Sequence, residues 1–180
     1  MGIDREKVER AVRLFLEAVG QLGRETEETP RRVAEALCRV LPGLQGEAPE
    51  LGEAVAGPEG PVLVREIPFY SMCEHHLLPF FGTAEVAYLP SDRRIAGVGA
   101  IAEIVTWRAG RLQLQERLTE EIAGTIEAWL HPKALRVRLK ARHLCLEMRD
   151  RSMRGALMVT EATRGEAAAL PPLDGSGWGG

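Results

Sequence analysis

Apolar residues near the start of the chain recur at steps of four, three and four: Val8, Val12, Phe15 and Val19. This period predicts an amphipathic first helix ending near 20–23. Thr29-Pro30 predicts the start of a second helix, with Thr as N-cap and Pro at the first helical position. Val33, Ala36, Leu37 and Val40 would form its inner face, Cys38 would be a plain core residue, and Pro42-Gly43 would stop it. Residues 46–61 are rich in Gly, Pro, Glu and Ala and read as a loop or hinge. Strands are expected at 61–68 and 83–89, then a turn and a helix over 98–107. Leu118, Ile122, Ile126 and Trp129 mark the buried stripe of a long helix that runs to His131-Pro132.

The clearest strand follows. Leu135, Val137, Leu139, Ala141, His143 and Cys145 share one face; Arg136, Arg138, Lys140 and Arg142 share the other. The basic face would be solvated or would meet acidic groups of another subunit. A last strand is expected at 155–163. Two helices, two strands, two helices and two strands argue for an α+β domain, with a mainly antiparallel sheet and helices on one face. The organisation is an N-terminal helical region (1–45), a linker loop (46–60), a main domain (61–165) and a flexible tail (166–180).

Composition narrows the function classes. A chain of 180 residues is long enough for one domain with a proper core. The formal charge of −3 offers no basic field, so nucleic acid is not an expected partner. Three cysteines fit a reducing cytoplasm better than a disulfide framework. The start of the chain is polar and charged, so no signal peptide is expected, and no apolar run suggests a membrane partner.

Soft metal ligands are scarce in this chain, and they are pooled. Cys73-Glu74-His75-His76 and His143-Leu144-Cys145 hold two of the three cysteines and three of the four histidines. Cys73 and His76 are spaced so that a single turn presents both to one ion, and Cys145 supplies a third ligand. Two thiolates and one imidazole with an open fourth position make a catalytic zinc arrangement. The alternatives are a structural zinc closed by His75 or His143, and a metal-free core. In the catalytic case His75 and His143 are general acid and base candidates, because imidazole titrates near neutral pH. Glu74 reads as a solvated carboxylate or as a partner orienting a ligand histidine. Read on its own, the stretch from Gln113 to Thr119 is the exposed start of a helix.

The segments Cys73-Glu74-His75-His76, Arg111-Leu112-Gln113-Leu114-Gln115-Glu116-Arg117-Leu118-Thr119, and His143-Leu144-Cys145 with Met148-Arg149 resemble GTP cyclohydrolase I. So do Thr29-Pro30-Arg31-Arg32-Val33-Ala34 and Val86-Ala87-Tyr88-Leu89-Pro90. The resemblance implies the tunnelling fold (T-fold) over 61–165 and a homo-oligomer, a toroidal decamer with sites at subunit interfaces. It implies zinc on Cys73, His76 and Cys145, and catalytic histidines at His75 and His143. Glu116 would bind guanine beside Gln115, and Arg32 and Arg149 would remain at the phosphates. The implied reaction is hydrolytic opening of a purine nucleoside or nucleotide at C8 with release of formate, on the way to a pterin.

The departures from that pattern fall together. The family's Gly-Leu-Ser-Lys, followed three residues later by Arg, is here Gly97-Val98-Gly99-Ala100 and then Glu103. Its Arg-x-x-Lys after Thr-Pro is here Arg32 and Glu35. These family residues grip the triphosphate, so a substrate with fewer phosphates than GTP is expected. Two other readings stand beside this one: a non-catalytic paralogue that binds a pterin or purine, and a zinc hydrolase of another nitrogen heterocycle.

Overall fold

The computed structural model describes residues 2–44, 46 and 48–173. In chain order the helices and strands are α1 (Arg5–Ala18), α2 (Thr29–Val40), β1 (Val55–Ala56), β2 (Val62–Cys73), β3 (Pro79–Leu89) and β4 (Arg94–Ile95). Then follow α3 (Val98–Ala109), β5 (Leu112–Gln113), α4 (Gln115–Leu130), β6 (Ala134–His143), α5 (Leu144–Glu147) and β7 (Met158–Gly165). Five strands form one sheet in the order β5-β2-β3-β6-β7, and β1 pairs with β4 in a separate ribbon. All neighbours in the large sheet are antiparallel except β2 and β5. The expected α+β domain with a mainly antiparallel sheet is therefore present. No helix among the described residues is long and apolar enough to cross a membrane.

The core lies between one face of the sheet and the helices α3 and α4. Ile101, Ile104 and Val105 of α3 and Leu118, Ile122 and Ile126 of α4 pack on Phe69, Phe80, Val86, Tyr88, Leu135, Val137 and Leu139. The buried Tyr88 hydroxyl accepts from the Ala96 amide at 2.9 Å, which satisfies the one polar atom that side chain brings inside. Ile122 is fully buried in this layer. Ile122→Ala is expected to cost about 2–5 kcal/mol in chemical denaturation, because it removes three carbons from a closed site.

Several local expectations are corrected. Phe15 and Val19 are 63% and 48% exposed, and Leu16 is the buried residue of α1. Among the described residues α1 packs chiefly on α2, so a two-helix hairpin covers one side of the apolar stripe. In α2, Ala34 is buried while Ala36 and Val40 are exposed, and the N-cap is Glu28 instead of Thr29. Strand β2 does not stop at Pro68. It continues to Cys73, because β5 reaches only Met72 and Cys73 and leaves Pro68 without a neighbour on that side.

The basic face of β6 is met by acidic groups of its own chain. Buried Glu85 lies 3.2 Å from Lys140 Nζ and 3.1 Å from Arg65 Nε. Glu161 takes Arg138 at 2.9 Å, and Glu147 takes Arg142 at 2.6 Å. Beyond β7, Leu170 and Leu173 are buried against Ala87 and Ala134, so 166–173 is docked on the sheet. Residues 174–180 of the expected tail lie outside the described residues.

Candidate metal centre and active site

The site is built at one end of the sheet. Along β2, Ile67, Phe69, Ser71 and Cys73 alternate inward, which makes Cys73 the last inward residue before the turn. The turn is closed by Cys73 N–H donating to Leu78 O at 2.9 Å and Leu77 N–H donating to Cys73 O at 2.9 Å. Leu77 takes φ +53° to allow it. The turn brings His76 Nδ1 to 3.5 Å from Cys73 Sγ. Strand β6 ends at His143, and the chain turns directly into α5. Cys145 therefore reaches the site from a helical turn and not, as expected, from the strand face it would share with His143.

The Cys73, His76 and Cys145 ligand atoms all lie within 4.8 Å of one another, and both cysteines are 7% exposed. Two sulfurs on a tetrahedral zinc stand roughly 3.8 Å apart, given a Zn–S bond of about 2.3 Å, so the cluster has the size and donor set of such a site. Burial pushes the Cys145 thiol up, its contact with Cys73 pushes it further, and Arg149 partly offsets both. A cation held between the sulfurs would reverse this preference by stabilising both thiolates. His75 and His143 do not belong to the ligand group.

The two spare histidines have different settings. The His75 side chain is 62% exposed, with Nε2 4.0 Å from Glu74 Oε1. Glu74 is held from behind by Arg117 in a close ion pair, which keeps its carboxyl below the usual range. Arg117 Nε in turn donates to Gln113 Oε1 at 2.9 Å, and the Glu74 amide donates to Gln113 O at 3.2 Å. His143 is half-buried and stacks on buried Phe80, with ring centres 4.7 Å apart and planes 2° from parallel. Its Nε2 lies 2.8 Å from Gln115 Oε1. Burial pushes the His143 imidazole below the ordinary histidine range, and the charge of Glu116 pulls it partly back.

Glu116 is exposed on the first turn of α4, close enough for its charge to act on His143. Gln115, expected to meet substrate beside it, is 1% exposed with its amide engaged inside the chain. Gln113 and Thr119 are equally buried, so the reading of this stretch as an exposed helix start is corrected. Arg149 is exposed and donates from Nε to Cys145 O at 2.6 Å. Arg32 is exposed on α2, away from the metal hairpin in sequence. Sequence reasoning did not single out Arg117, Gln113, Phe80 or Thr160 as site residues. The stripe of α4 carried back from Leu118 through Thr119 to Gln115 would have flagged the inward polar residues.

The family model described as GTP cyclohydrolase I matches residues 8–172. The GTP cyclohydrolase 1 of Aquifex aeolicus (strain VF5) is 47% identical over 167 residues, covering 92% of this chain and 90% of that protein. That of Thermoanaerobacter pseudethanolicus (strain ATCC 33223 / 39E) is 47% identical over 167 residues, with 91% and 89% covered. Among solved structures, the archaeosine synthase QueF-Like in the apo form aligns with a TM-score of 0.49 at 19% identity, over 61% of this chain and 96% of that one.

Proposed function

The chain belongs to the GTP cyclohydrolase I family, and from that premise we propose that it is a zinc-dependent cyclohydrolase that opens the imidazole ring of a guanine-like purine at C8. The observation that carries the reading is the gathering of Cys73, His76 and Cys145, with two further histidines beside them that are not in the ligand group. Cys73, His76 and Cys145 would hold the ion. The chemistry a zinc ion supplies in such a site is Lewis acidity, which brings the ionisation of water toward neutral pH.

The chain's own residues do the rest. Water adds at C8, the C8–N9 bond breaks, and a second water releases C8 as formate from N7. Each step moves protons between water oxygen and ring nitrogen. His143, kept neutral at pH 7 by burial, suits the proton-accepting role. His75, exposed beside Glu74, suits exchange with solvent and with the leaving nitrogen. Glu116 would pair with the N–H edge of the base. Arg149, and Arg32 through a neighbouring subunit of a homo-oligomer, would meet the substrate's tail.

That tail is proposed to carry few or no phosphates. Glu35 lies 2.7 Å from Arg31, whose other nitrogens take Glu28 at 2.6 and 2.9 Å, so Arg31 is no spare phosphate ligand. Arg93 donates to Gly57 O at 3.0 Å, and Arg108 donates to Thr125 at 2.8 Å and lies over Trp107. A Cβ at Gly99 meets nothing within 4 Å, so packing does not exclude a side chain there. A close charge pair near a protein surface is worth about 4 kcal/mol before screening. A micromolar affinity is about 8 kcal/mol in all. Removing two lysines and one arginine, two of them in favour of Glu, is therefore enough to lose a triphosphate.

The test is formate release by the zinc-loaded protein from GTP, GMP, guanosine and guanine. GTP is expected to show the poorer kcat/KM beside GMP or guanosine, and a clear preference for GTP sinks the altered-tail proposal. Formate from none of the four leaves a binding paralogue or a zinc hydrolase of another nitrogen heterocycle as the reading. The combined variant Glu35→Lys, Ala100→Lys, Glu103→Arg is expected to raise kcat/KM for GTP by at least about tenfold, or about 1.4 kcal/mol, with guanosine little changed.

A further inference from the structure

Gln115 is the first residue of α4, and its amide sits in a fully protein-built pocket. Its Nε2 lies 3.0 Å from Met158 O, 3.3 Å from Leu139 O and 3.0 Å from Thr160 Oγ1. Two of these partners are backbone carbonyls, which only accept, so the nitrogen of the amide must be on that side. The oxygen is thereby left facing His143 Nε2 at 2.8 Å. An amide oxygen only accepts, so the imidazole nitrogen it meets must carry the proton. Thr119 Oγ1, 2.6 Å from Thr160 Oγ1 and donating to Gln115 O at 2.7 Å, braces the same corner. Phe80 fixes the plane of the ring from one face.

We infer that Gln115 is a positioning residue that locks His143 in the Nε2–H tautomer and leaves Nδ1 as its proton-accepting atom. The carbonyls of β6 and β7 orient one amide, and that amide orients one ring nitrogen. A flipped amide would set its oxygen against two carbonyls and lose the hydrogen bonds to both. The assignment of Gln115 as a substrate ligand is replaced by this role. The inference rests on the reading of His143 as a catalytic histidine, but its structural half stands on the hydrogen bonds alone.

The experiment is two-bond proton–nitrogen correlation spectroscopy of the histidine rings in zinc-loaded protein, with His143 assigned by its loss in His143→Ala. The expected result is a ring that carries its proton on Nε2 at a pH where it is neutral. A ring protonated at Nδ1 overturns the inference, whatever the activity. In Gln115→Met the tautomer is expected to become mixed, with kcat for formate release down roughly 10–100-fold, as for other partners that orient a functional histidine, and KM within about twofold. A purely structural Gln115 would lower the melting temperature and leave both tautomer and kcat in place, which also overturns it. Should Gln115→Met fail to fold, the wild-type spectrum decides alone. Full turnover in His143→Ala would remove the functional reading without touching the tautomer, so the two failures are distinguishable.

Discussion

Cys145→Ala is expected to abolish formate release and to leave the protein without tightly held zinc. The three candidate donors come from two places far apart in the chain: a β-hairpin turn and the short helix after β6. No other group among the described residues sits ready to replace the lost thiolate in that cluster. His143 is committed to Gln115 through Nε2, and the Cys73–His76 pair alone offers one sulfur and one nitrogen. If Lewis-acid catalysis contributes about 4 kcal/mol here, its loss is about 10³-fold in rate at 1.36 kcal/mol per factor of ten. The measurement is zinc content after dialysis, together with kcat/KM on whichever substrate the formate assay selects. Cys38→Ala, on α2 and outside the ligand group, is the matched control and is expected to retain both. Full activity in zinc-free protein, or in Cys145→Ala, would refute the metal assignment.

The sequence carried the sheet better than it carried the site's ends. Alternation along β6 placed Leu135, Val137, Leu139 and Ala141 inward, as found. It failed four residues later, at Cys145. Leu144 and Leu146 should have warned of that, since they stand where the pattern required basic residues. The expected strand ended at Pro68, but a proline paired with β3 alone and open on its other side is tolerated inside a strand. The apolar stripe of α1 was correct as a helix signal and wrong as a burial signal. Periodicity reports amphipathicity, and it does not say whether this one chain supplies a partner for the whole stripe. The clustering of Cys73, His76 and Cys145 was legible because cysteine and histidine are rare here. The residues that orient the histidines were not, because glutamine, threonine and arginine at a helix start look solvated until a strand from elsewhere is laid over them.

One turn of helix ties these parts together. Gln115, Glu116 and Arg117 are consecutive, and successive residues on a helix diverge by about 100°. Gln115 points inward to His143, Glu116 stays exposed near the same ring, and Arg117 reaches the other way to Glu74 beside His75. The short parallel pairing of β5 with β2, Cys73 opposite Gln113, fixes that turn against the metal hairpin. Both spare histidines are thus referenced to the same piece of backbone.

His143→Ala is the second large effect. The variant is expected to keep its zinc and its fold, because His143 is not in the ligand group and its ring lies half-exposed beside a shallow pocket lined by Cys145, Leu146 and Met158. It is expected to lose kcat by about 10²–10⁴-fold, the usual reach of a positioned proton-transfer group. That is roughly 3–5 kcal/mol of transition-state stabilisation at 1.36 kcal/mol per factor of ten. KM should move little, since base recognition is assigned to Glu116 and the tail to arginines. His75→Ala should behave in the same way, and the double variant should fall short of the product of the two losses, because both residues serve the same proton movements. Zinc content separates this outcome from that of Cys145→Ala. A His143→Ala protein that turns over within about tenfold of the parent lies outside the range of a general acid–base group, and it would leave the imidazole a structural role on Phe80.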